Sequence, residues 1–159
     1  MKEYTENELK TKAEAYCAKT ERCPFEVEQK LTQWGADEEM TSRILTSLVK
    51  DRFIDTARYC KAFVRDKYRF ARWGKNKIAQ ALRMKRLPAE DIRIGLEEID
   101  EDEYNRMLRE TLAQKEKQVT GKNDYECAMK LIRFAVSRGF TLDEVKRYIR
   151  QASEDEYLD

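Results

Sequence analysis

Five basic side chains, Arg58, Lys61, Arg65, Arg69 and Arg72, fall within an arc of about 80° at roughly 100° per residue. Trp73 follows, then Lys75 and Lys77 at the start of the next helical segment, with Arg83, Lys85 and Arg86 at its end. A cationic stripe without interleaved acids is what contact with phosphates or with an acidic protein surface requires. Residues 50–86 carry thirteen basic side chains against three acidic ones, while residues 90–103 carry eight acids and a single base. The plain alternative is a solvated helix face, and it stays open, because periodicity does not say what the face meets. Phe25, Trp34, Phe53, Tyr59, Phe63, Phe70 and Trp73 are rings on which bases could stack. Most lie at helical spacing beside apolar residues, which fits a core better. Tyr59, Phe63 and Phe70 lie to one side of the stripe, suited to burial. Trp73, in a turn between Arg72 and Gly74, is the ring best placed for exposure.

The same inventory argues against catalysis. The chain has no histidine for general-base work, no glycine-rich phosphate loop and no nucleophile elbow. The acidic run at 97–103 lacks the alternating Asp pattern of a calcium loop. Cys17, Cys23, Cys60 and Cys127 form no Cys-x-x-Cys pair and have no histidine to complete a zinc site. They read as small buried hydrophobes in a reducing compartment. No enzyme, no cofactor and no metal is the expectation.

At 159 residues the chain is one ordinary domain or a short array of small units. Charged residues make up 40% of it, yet Lys+Arg (32) and Asp+Glu (31) nearly cancel, so total charge names no partner. No apolar run approaches the ~18 residues of a membrane span. Met-Lys-Glu-Tyr-Thr-Glu-Asn-Glu offers no hydrophobic stretch for a secretory signal. A cytoplasmic protein with no membrane partner is expected.

The elements that must carry the stripe are helices, and they repeat. Phe25 to Gly35, Lys75 to Arg86 and Glu126 to Gly139 align about fifty residues apart. Val27, Ile78 and Leu131 share one apolar slot; Leu31, Leu82 and Ala135 share the slot four residues on. Gly35, Arg86 and Gly139 share the stop. A second amphipathic helix follows each stop, with Thr41, Ile92 and Val145 in one slot and Leu45, Leu96 and Ile149 in another. Such a period marks a repeat architecture, which presents surfaces to macromolecules. Capping patterns at Thr5-Glu8, Asp37, Asp55, Asp100, Asn123 or Asp124, and Thr141-Glu144, with Pro24 and Pro88 in first turns, divide the chain into nine helices. The fold class is all-α: three tandem three-helix repeats of helix-turn-helix-like units at 1–54, 55–99 (the basic one) and 100–152. An acidic tail at 153–159 is expected to fray. Such units are also those of direct DNA-binding regulators, whose exposed helix enters a groove.

The phrases themselves resemble a known family. Cys23-Pro-Phe-Glu-Val-Glu-Gln-Lys-Leu-Thr-Gln-Trp-Gly35 and Leu48-Val-Lys-Asp-Arg-Phe-Ile-Asp-Thr-Ala-Arg-Tyr59 are similar to the first RecX repeat and its junction with the second. Arg72-Trp-Gly-Lys-Asn-Lys-Ile-Ala-Gln-Ala-Leu82 resembles the family's Arg-x-Gly-x-x-x-Ile-x-x-x-Leu segment, and Ser137-Arg-Gly-Phe-Thr141 its Arg-Gly-Phe signature. The likeness runs from about residue 13 to 150. It implies an elongated, curved helical array that binds the groove of the RecA–single-stranded DNA filament, inhibits ATP hydrolysis and strand exchange, and so modulates recombination and DNA repair. It also implies weak direct DNA binding. A monomer is expected. Arg58, Lys61, Arg65, Arg69, Arg72, Trp73, Lys75 and Lys77 are the expected contacts with filament or DNA. Arg86 stands where the family usually has glycine, leaving that stop without its favoured left-handed residue.

Overall fold

The computed structural model describes residues 3–158, with side chains through residue 153; these form nine helices and no strand. In order they are α1 (Glu6–Lys19), α2 (Pro24–Gln33), α3 (Glu38–Lys50), α4 (Thr56–Arg69), α5 (Lys75–Met84), α6 (Ala89–Glu97), α7 (Glu101–Glu116), α8 (Asp124–Ser137) and α9 (Leu142–Leu158). The acidic run at the end continues the backbone of α9, and Asp159, with Met1 and Lys2, lies outside the described residues.

Helix starts are fixed locally, by side chains that satisfy amides the helix leaves unpaired. Thr5 accepts from the Glu8 amide at 3.2 Å while Glu8 accepts from the Thr5 amide at 3.4 Å. Thr141 and Glu144 repeat that reciprocal pattern at 3.1 and 2.8 Å. Asp37, Asp55, Asp100 and Asn123 each accept one amide, at 2.8, 3.0, 3.1 and 2.8 Å. Removing such a cap costs about 1 kcal/mol.

The repeat register reads directly as burial. Val27, Ile78 and Leu131 are buried, as are Leu31, Leu82 and Ala135, and then Thr41, Ile92 and Val145. Leu45, Leu96 and Ile149 are half-buried. Truncating a fully buried leucine such as Leu31 to alanine removes roughly 2–5 kcal/mol. The three stops also share a backbone. Gly35 (φ +99°), Arg86 (φ +62°) and Gly139 (φ +96°) are all left-handed. Arg86 takes this turn without glycine, at a cost of about 1 kcal/mol for an L side chain. Arg52 and Arg72 pay similarly, at φ +62° and +57°.

The chain packs as two compact units. The first joins residues up to Ala62 with Leu82–Gly95; the second joins Phe63–Ala81 with the residues from Leu96 onward. The boundary therefore passes through α4, α5 and α6. In the first unit α1, α2 and α3 pack mutually around Leu9, Ala13, Cys17, Val27, Leu31, Ile44, Leu48 and Ile54. In the second, α8 packs on α7 and α9. There Tyr104, fully buried, meets the rings of Tyr68 and Phe140, each at 6.2 Å. Cys17, Cys23 and Cys60 are buried and Cys127 half-buried, all as free thiols. Burial, with the Asp91 carboxylate adding to it, pushes the Cys60 thiol up to about 12 and keeps it protonated and unreactive.

Candidate partner and nucleic-acid interface

Asp55 starts α4 by accepting the Arg58 amide at 3.0 Å, and the helix then presents the stripe. Its first two cations belong to the first unit. The Arg58 guanidinium reaches Glu21 at 2.6 Å and donates to the Arg52 carbonyl at 3.1 Å, which turns it back onto its own unit. Lys61 is half-buried.

The remaining residues belong to the second unit, and there the carboxylates segregated in sequence return to the basic face. Arg69 donates to both Glu103 oxygens, at 2.5 and 3.2 Å. Lys75 pairs with Glu101 at 2.6 Å, and Arg72 lies 3.6 Å from Glu110 while donating to the Thr111 hydroxyl at 3.2 Å. The expectation of a stripe without acids fails here, because α7 carries Glu101, Glu103 and Glu110 against it. Arg72 also departs from the helical arc, since α4 ends at Arg69 and Arg72 sits in the left-handed turn beyond. Arg65 is exposed, and no carboxylate pairs with it among the described residues.

The aromatic expectations divide. Tyr59 is buried and Phe63 half-buried, but Phe70 is 81% exposed. Phe70 is the first residue past α4, so extrapolating the helical face to it misplaces it. Trp73 is half-buried rather than free. Its ring meets the Phe63 edge at 6.4 Å and lies under two ammonium groups, Lys67 at 4.7 Å and Lys77 at 4.5 Å. Neither lysine pairs with a carboxylate among the described residues. Arg65, Lys67 and Lys77 are thus without a carboxylate partner among the described residues, and the two lysines lie over Trp73.

The phrases carrying the family resemblance do structural work. The Gly74 amide donates to the Arg138 carbonyl at 2.7 Å and the Asn76 amide to the Gly139 carbonyl at 3.0 Å. A Cβ on Gly74 would lie 2.3 Å from the Gly139 carbonyl carbon, and one on Gly139 would lie 2.4 Å from Lys77 Cβ. The Arg-x-Gly and Arg-Gly-Phe segments therefore cross backbone to backbone. Phe140 continues the contact into the Tyr104 cluster.

Sequence reading passed over a second cation–aromatic cluster, in the first unit. Lys12, Tyr16 and Lys19 share one face of α1, and Arg22, Lys30 and Trp34 complete a groove with α2. The i, i+4, i+7 spacing of Lys12, Tyr16 and Lys19 was its signal. Acids alternate with bases along that stretch, so a count by sequence window reports nothing. No group of three His, Cys, Asp or Glu that could hold a metal ion occurs among the described residues. No helix among them is long and apolar enough to cross a membrane.

The model of the second three-helix domain of RecX matches residues 55–96. Regulatory protein RecX of Clostridium botulinum (strain Alaska E43 / Type E3) is 33% identical over 145 residues, covering 89% of this chain and 65% of that protein. Its counterpart from Clostridium perfringens (strain SM101 / Type A) is 27% identical over 144 residues, covering 89% and 66%. The chain thus spans just under two thirds of the length of these relatives. The crystal structure of RecX from Lactobacillus salivarius superposes with a TM-score of 0.76 at 20% identity, over 92% of this chain and 95% of that one. A further crystal structure, of regulatory protein RecX, gives 0.80 at 19% identity, over 91% and 74%. With 33% identity to one curated RecX protein over 89% of this chain, and the second three-helix domain of RecX matched at 55–96, the chain belongs to the RecX family.

Proposed function

We propose that this chain is a non-enzymatic, cytoplasmic regulator that binds the groove of a RecA–single-stranded DNA filament and restrains its ATPase and strand exchange. The observation that carries this reading is the colinear match of nine tenths of the chain to proteins named for regulation. The build supports it: helical units whose crossing segments hold backbone to backbone leave side chains of the outer faces for a partner. The ion pairs on α4 narrow the contact set. A partner phosphate must displace Glu21, Glu103, Glu110 or Glu101 to reach Arg58, Arg69, Arg72 or Lys75, whereas Arg65, and Lys77 beside Trp73, offer charge directly.

The test is the single-stranded-DNA-dependent ATPase rate of the cognate recombinase, with this protein titrated in well below the recombinase concentration. Inhibition at such substoichiometric levels is expected. An unchanged rate, beside tight and sequence-selective binding to duplex DNA, would replace this reading with that of a direct DNA-binding regulator.

A further inference from the structure

The α1–α2 groove is an open cleft of about 400 Å³, lined by two aromatic rings, four cations and no carboxylate. Its floor is the pair Tyr16 and Trp34, edge to face at 6.3 Å. The cations stand on these rings. The Arg22 guanidinium lies 3.8 Å from the Tyr16 centroid, Lys30 Nζ lies 5.6 Å from the same ring, and Lys12 Nζ lies 4.7 Å from Trp34. Arg22 is held there by donating its Nε–H to the Tyr16 carbonyl at 3.2 Å. Lys19 is exposed at the rim, two helical turns from Lys12.

None of Lys12, Lys19, Arg22 or Lys30 is in an ion pair among the described residues. Two of the nearby acids have partners outside the groove. Glu21 holds Arg58, and Glu26 accepts the Cys23 amide at 3.1 Å and faces Lys85 at 3.5 Å. Four cations without a carboxylate partner among the described residues, around a π-faced floor, suit a ligand that is both anionic and flat. A single nucleic-acid strand is both, since every base has a stacking face and every linkage a charge. An acidic peptide supplies the charge without the flat faces.

We infer that the α1–α2 groove is a binding site for single-stranded nucleic acid. A base stacks against the ring and guanidinium faces of Trp34, Tyr16 and Arg22, and the flanking phosphates meet Lys12, Lys19 and Lys30. This rests on the first unit alone and not on the recombinase reading.

The experiment uses the whole chain and fluorescein-labelled oligothymidine, with binding followed by anisotropy across a salt series. Lys19→Glu with Lys30→Glu should weaken binding at least about tenfold at low salt. It should also lower the slope of log affinity against log salt by about 1.4, as the loss of two single-strand phosphate contacts does. Lys19→Arg with Lys30→Arg keeps charge and stem and should hold affinity within about twofold. The chain has two tryptophans, so Trp73→Phe leaves Trp34 as the reporter, and oligothymidine should quench it. Affinity unchanged in the charge-reversed variant, or Trp34 emission unchanged at saturation, overturns the inference. Quenching by polyglutamate but not by oligothymidine overturns it too, in favour of an acidic protein segment.

Discussion

Two basic surfaces of this molecule differ in what folding does to them. The α4 stripe has the higher density of bases along the chain, yet α7 lays Glu103, Glu110 and Glu101 on Arg69, Arg72 and Lys75. The α1–α2 groove is built from a stretch where acids and bases alternate, yet no carboxylate lines it. Charge density in sequence and charge available to a partner are therefore different quantities. Tertiary structure delivers counter-ions to one face and leads them away from the other. Exposed ion pairs are individually weak, so the stripe is dampened rather than abolished. A polyanion meets competition there and none at the groove.

The contrast is broken most severely at the contact that holds the second unit's chain crossings together. Gly139→Ala places a methyl group 2.4 Å from Lys77 Cβ at a φ of +96°, and should cost about 3 kcal/mol in urea denaturation. Gly35→Ala meets the same kind of backbone, at φ +99°, with nothing within 4 Å. It should cost only about 1 kcal/mol. Equal losses at the two sites would mean that the close approach of Gly74 and Gly139 carries no energy of its own.

A smaller effect sharpens the contrast directly. Glu101→Gln with Glu103→Gln releases Lys75 and Arg69 and should raise affinity for oligothymidine about threefold at low salt. Glu38→Gln with Glu39→Gln makes the same change in net charge on α3, and should gain less. If the two variants gain equally, overall charge and not local pairing governs the stripe.

The smallest effect expected is at the middle stop. Arg86→Gly relieves an L residue at φ +62° but gives up the guanidinium 5.5 Å from the Phe25 ring. The balance should stabilise by about 0.5 kcal/mol, read as a higher urea midpoint. A loss would mean that the Arg86–Phe25 contact outweighs the backbone.

What the sequence disclosed was what neighbours decide. Caps at Thr5, Asp37, Asp100 and Thr141 need only a residue three positions on, and the shared slots at Val27, Ile78 and Leu131 need only a helical period. All were legible. The pairing of Arg69 with Glu103 links residues 34 positions apart, and no periodicity carries that. Phe70 escapes the expected burial because it is the first residue past α4, and a face extrapolated beyond a helix end points nowhere. Trp73 was expected at the surface on the strength of its turn, but lysines from α4 and α5 close over it. The groove on α1 and α2 hid behind neighbouring acids whose engagements lie with Arg58 and Lys85.

The crossing of Gly74 and Gly139 also governs when and how the second unit is completed. In a linear repeat array each module folds on its predecessor, and trimming the end removes one module. Here the amides of Gly74 and Asn76 find their acceptors only when residues 138 and 139 arrive. During synthesis the start of α5 therefore waits, its amides solvated, until α8 has emerged. A product cut short before Arg138 loses more than its last helices, for it strips hydrogen-bond partners from a turn made far earlier in the chain. Two glycines thereby make the length of the polypeptide a condition of its own folding.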